Sequence, residues 1–119
     1  MFFKRTVACK KMLQQLSYVN GTPVSYFKKM YKTKRKVYNA IYKSYSKLSN
    51  DEKIIIGCVL GFCPLCADYR KPKDFRTVAR MMSMSSAGNA LDKYHECINA
   101  LYFQLHNEHH NNKEKAVKK

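Results

Sequence analysis

A chain of 119 residues with 23 Lys and Arg against 8 Asp and Glu, for a net charge of +15, has room for one domain with a modest core. That size excludes an enzyme with separate cofactor and substrate domains, and that charge favours a polyanionic partner over a small-molecule substrate. The charge is unevenly placed: residues 1–50 hold 12 basic side chains and no carboxylate, whereas the remainder holds 11 basic residues and all 8 acids.

The opening "MFFKRTVACKKMLQQLS" predicts a basic amphipathic helix ending near Val19, with Val7, Leu13 and Leu16 near one side. Such a helix suits a mitochondrial presequence or an ordinary basic surface helix, and the expected location is mitochondrial. "NGTP" is turn chemistry, with Thr22 as N-cap and Pro23 at the first position of a second helix running to about Leu48. Its stripe is Tyr31, Tyr38, Ile41, Tyr42, Tyr45 and Leu48, and lysines cover most of the rest. Without a carboxylate, no i,i+4 ion pair forms on this helix, so its cations point to phosphates. Lys4, Arg5, Lys10, Lys11, Lys28, Lys29, Lys32, Lys34, Arg35, Lys36, Lys43 and Lys47 are the candidate nucleic-acid contacts. Helical spacing assigns Tyr38, Tyr42 and Tyr45 to the core, leaving Tyr26 and Tyr31 as candidates for contacts outside.

Ser49 and Glu52 fit a capping box that opens a third helix into Ile54, Ile55 and Ile56, limited by Gly57 and Gly61. The apolar run "IIIGCVLGFCPLC" is interrupted by Gly and Pro and fits a core segment, so no transmembrane segment is expected. Asp74 can cap a helix with Phe75, Val78, Ala79 and Met82 on one face, ending at "SMSSAGN". A last helix from about Ala90 to His106 places Leu91, Tyr94, Ile98, Leu101, Tyr102 and Leu105 on one stripe, and the residues from His109 read as a polar tail. The expected fold is all-α: a basic helical arm over 1–57, a small helical unit with a cysteine knuckle over 58–108, and a tail over 109–119.

Cys9, Cys58, Cys63, Cys66 and Cys97 make an odd number without a secretory signal, which argues for reduced or metal-bound thiols. Cys63-Pro64-Leu65-Cys66 supplies half of a tetrahedral zinc site, two thiolates on a tight turn. The other half must come from Cys97, His95, His106, His109, His110 or Cys58. His95 and Cys97 stand two residues apart, and positions i and i+2 of a regular helix face different sides. Zinc and buried thiols remain open readings, with a redox pair third for want of a βαβ context. No Gly-rich phosphate loop, H-E-x-x-H, G-x-S-x-G or acid/base pair occurs, so the chain is expected not to be an enzyme.

"CPLCADYRKPKDFRTVARMM" and "AGNALDKYHECINALYFQLH" resemble, over about fifty residues, the eighteenth protein of the small ribosomal subunit in its bacterial-type and mitochondrial forms. That family has C-P-x-C, a K-D helix, then T-G-x-C and a nearby His. The resemblance implies a helical, ribosomal-RNA-binding, non-enzymatic component of a mitochondrial ribosome among neighbouring proteins, with Cys63, Cys66 and His95 as zinc ligands. The chain departs where the basic loop is shortened to "SMSSAGN" and where Ala90 replaces a cysteine, so Cys97 would have to substitute. "IYKSYSKLSNDEK" is similar to the end of a high-mobility-group box, with Tyr45 in the aromatic place, which implies a DNA-compacting protein of the organelle. An accessory subunit of another large mitochondrial complex is a further alternative.

Overall fold

A computed structural model describes residues 2–64 and 71–118, with side chains for 6–19, 21–27, 29–64 and 71–107. The described residues form α1 (Phe2–Asn20), α2 (Val24–Tyr31), α3 (Lys34–Ser46), α4 (Asn50–Leu60), α5 (Phe75–Met81) and α6 (Ala87–Lys118), and no strand occurs among them. The all-α expectation holds. No helix of the described residues is long and apolar enough to cross a membrane.

The last helix is the axis of the fold. Ala90, Tyr94, Cys97, Ile98, Leu101 and Leu105 recur every three or four residues and are all buried, which makes a stripe that α1, α3, α4 and α5 pack against. Each of the fully buried aliphatic side chains on it contributes roughly 1.5–3 kcal/mol of transfer free energy. Leu91, expected on this stripe, is exposed, because Ala90 occupies the inward position and Leu91 lies about 100° further round. The helix begins earlier than expected, where the Ser86 hydroxyl accepts from the Asn89 amide at 3.1 Å. It also runs through the expected polar tail to Lys118, since that stretch contains no Gly or Pro to end it.

In α1, Ala8, Cys9, Met12, Leu13 and Leu16 face the core, while Val7 sits outside that arc and is exposed. Three polar links seat this helix: Cys9 Sγ donates to the Tyr38 carbonyl, Lys11 Nζ to the Leu60 carbonyl, and Tyr94 Oη to Gln15 Oε1. They join it to α3, to the end of α4 and to α6.

The single second helix expected from Pro23 to Leu48 is two helices. Pro23 itself is the N-cap of α2, with no side-chain cap, in place of Thr22. The chain breaks at Lys32, whose φ of 70° and ψ of −42°, with the Thr33 amide donating to the Tyr31 carbonyl at 2.8 Å, form a γ-turn of the rarer, strained hand. Thr33 then caps α3, its hydroxyl accepting from the Lys36 amide at 3.2 Å. Thr33 competes for helix termination where hydrophobic periodicity alone registers continuity.

The capping box at Ser49 and Glu52 is present, with both reciprocal bonds formed. At the other end Gly61 adopts a left-handed φ of 85°, and the amides of Gly61 and Phe62 both donate to the Gly57 carbonyl, at 2.8 and 2.9 Å. Asp74 caps α5 as expected, accepting from the Thr77 amide at 2.8 Å.

The division into a basic arm and a separate small unit does not divide the core. Buried residues from Ala8 to Leu105 form one cluster, in which Phe27 of α2 packs edge-on against Tyr102 of α6. Residues 1–57 carry apolar stripes as complete as those of 58–108, and two half-cores of this size gain more by merging than by standing apart.

Candidate nucleic-acid interface

The N-terminal half contributes its charge through the outward side of α2 and α3. Inside α3, Val37, Ala40, Ile41, Ser44 and Tyr45 are buried, and the Ser44 hydroxyl is satisfied by the Ala40 carbonyl at 2.8 Å. The opposite side is left to Lys34, Arg35, Lys36, Asn39, Lys43 and Lys47, all exposed. No acid lies in the first turn of α3, so Lys34, Arg35 and Lys36 add to the positive end of the helix dipole instead of compensating it. Lys29 and Lys32 of the preceding segment and Lys10 of α1 are also exposed. The result is a surface of one sign that raises the local concentration of anions.

Two sequence candidates turn inward. Lys11 reaches the Leu60 carbonyl at 2.8 Å, so its cation caps the C-terminal end of α4. Tyr31, expected to make outside contacts, is buried, and its hydroxyl donates to the Leu105 carbonyl at 2.9 Å. Burial pushes that phenol up to about 12. The break at Lys32 re-aims α2 so that Tyr31 points at α6. Tyr26 is partly exposed, with one edge on Phe27 and a tilted contact to His106. The side chains of Lys4, Arg5 and Lys28 lie outside the described residues.

Of the tyrosines assigned to the core, Tyr45 is buried, stacked edge-on with Phe62 and bonded through its hydroxyl to the Lys53 carbonyl at 2.9 Å. Burial, with the Cys63 and Cys58 thiols beside it, holds that hydroxyl far above the ordinary phenol range. Tyr38 and Tyr42 are half-buried.

Among the described residues, Cys63, His95 and Cys97 do not form one cluster. Cys66 lies outside the described residues, and Cys63 follows the left-handed turn at Gly61, half-buried. His95 and Cys97 sit on the unbroken α6, where Cys97 faces the core at zero exposure and His95 is turned to a half-buried position. Burial, with the carboxylates of Glu52 and Glu96 opposed by Lys93, pushes the Cys97 thiol up to about 11. Cys58 is also raised by burial, with Lys73 opposing. Among the described residues no group of three His, Cys, Asp or Glu side chains could hold a metal.

A second basic patch escaped the sequence reasoning: Lys71, Lys73, Arg76 and Arg80 are exposed around α5. Asp74 interrupts this run and Asp68 precedes it, so it lacks the single-sign signal of the first half. Comparison of the chain with protein-family models, with curated proteins and with solved structures gives no match.

Proposed function

We propose that this protein is a non-enzymatic, RNA-binding structural component of a ribonucleoprotein assembly, the mitochondrial ribosome being the reading its sequence favours. The observation that carries the proposal is the exposed basic surface of α2 and α3 in a half of the chain that has no carboxylate. Lys29, Lys32, Lys34, Arg35, Lys36, Lys43 and Lys47 neutralise phosphates there, while the buried stripe of α6 holds the helices that present them.

Co-sedimentation tests it. The tagged protein is expected in mitochondrial ribosomal fractions at moderate salt and to leave them as salt is raised, following counterion release. Absence from those fractions at moderate salt, or tighter binding to duplex DNA than to ribosomal RNA, overturns it.

A further inference from the structure

We infer that α3 reads the phosphate backbone of double-helical RNA and makes no stacking contact with bases, an assignment that rests on the RNA-binding reading above. Arg35, Lys36, Asn39 and Lys43 recur on the outward side of α3 at helical spacing, and Lys32 precedes them at the γ-turn; all five are exposed. From Lys36 to Lys43 the helix rises about 10 Å, so its cations are spread along a line that spans several successive phosphates of a backbone. Asn39 places a neutral hydrogen-bonding amide between the cations, a type of side chain that contacts phosphate and sugar.

The aromatic residues decide the form of the RNA. Single-strand binders interleave cations with open ring faces on which unstacked bases lie. On α3 no aromatic ring is exposed. The Lys34 ammonium stands 5.6 Å over the Tyr38 ring, Tyr42 is half-buried, and Tyr45 is enclosed against Phe62. At the end of α2, Tyr31 is buried beneath Leu105. The exposed aromatic rings among the described residues, Tyr18, Tyr26 and Phe103, belong to α1, α2 and α6 and not to α3. A helix with cations, an amide and no exposed ring suits recognition of shape and phosphates, which is how proteins engage the A-form duplex.

The test measures binding of the full chain to a blunt duplex RNA of about 20 base pairs and to an unstructured single strand of equal length, across a salt series. The variants are the triple substitution Arg35→Gln, Lys36→Gln, Lys43→Gln and a charge-matched control on α5 and its entry, Lys71→Gln, Arg76→Gln, Arg80→Gln. Duplex is expected to bind tighter than single strand. The α3 triple should flatten the log–log salt slope by about 3 and lower duplex affinity on the order of 100-fold near 0.15 M salt, from a slope of about 0.9 per phosphate contact. The α5 control should lose less than a tenth of that, and Tyr18→Ala should change neither affinity. Preference for single strand, an equal loss in both triples, or a tenfold loss on Tyr18→Ala overturns the assignment and leaves RNA binding standing. Binding to neither RNA overturns the RNA reading and the assignment together.

Discussion

Replacing Gly57 with Ala tests how α4 ends and how the turn carrying Cys63 is held. In a helix interior Ala is normally favoured over Gly by about 1 kcal/mol. Here a Cβ would lie 2.7 Å from the Phe62 carbonyl oxygen and 3.2 Å from Pro64 Cδ. The nearer atom is backbone, held in place by the Gly61 and Phe62 amides that both bond to the Gly57 carbonyl. The turn must therefore move. Overpacking of this kind costs roughly 1–3 kcal/mol, and weakening two backbone bonds costs up to about 1 kcal/mol each. Set against the gain in helix propensity, the net destabilisation is about 2 kcal/mol, a fall in melting temperature of roughly 8 °C for a domain of this size. Far-UV circular dichroism melts and urea midpoints read it directly. Gly88→Ala is the matched control, since its nearest neighbour would be Ser86 Oγ at 3.7 Å, and it should leave the melt unchanged or raise it. A Gly57→Ala protein that melts at or above the parent temperature refutes the reasoning.

Tyr31→Phe removes the hydroxyl that ties α2 to the Leu105 carbonyl and should cost about 1 kcal/mol in urea denaturation; no change would mean the bond contributes nothing in solution. Lys32→Gly should instead stabilise by about 1 kcal/mol, because relief of strain at a φ of 70° exceeds the added freedom of the unfolded chain, and a lowered urea midpoint would contradict it. The Asp74 carboxyl is held below its ordinary 3.8 chiefly by the Thr77 backbone amide. A depressed value adds stability above 3.8 that is lost as pH falls through the folded-state value, so Asp74→Ala should lower the melting temperature at pH 7, with the difference from the parent shrinking as the pH is lowered well below 3.8. A difference that persists unchanged as the pH falls would argue against the capping bond. Cys97, buried and with its thiol pushed up to about 11, should resist maleimide at pH 7.5 and react promptly in urea, followed by mass spectrometry of the alkylated peptide; prompt labelling of the native protein would remove it from the core.

Local signals were legible in the sequence wherever they are complete within a few residues. The Ser49–Glu52 box and the Asp74 cap formed as read, because a cap needs only the amide three positions on. The stripe of α6 was legible for the same kind of reason, apart from Leu91, since one helical period selects one face. The excess of cations and the absence of acids before Asp51 are properties of composition alone.

What the sequence could not decide is which side of each helix meets which neighbour. Tyr31 and Tyr38 have similar surroundings in sequence, yet the γ-turn at Lys32 sends Tyr31 under Leu105 and leaves Tyr38 half-buried beneath Lys34. Lys11 reads as one more surface cation, yet it reaches a carbonyl 49 positions away, a partner only tertiary packing supplies. Cys97 reads in sequence as a neighbour of His95, yet it is fully buried in the core while His95, two positions back on α6, is half-buried on another side. Periodicity and charge determined by themselves that the chain is helical and where its cations lie. The long-range packing on α6 decided which of those cations and rings remain at the surface, because burial is a property of the neighbour as much as of the residue.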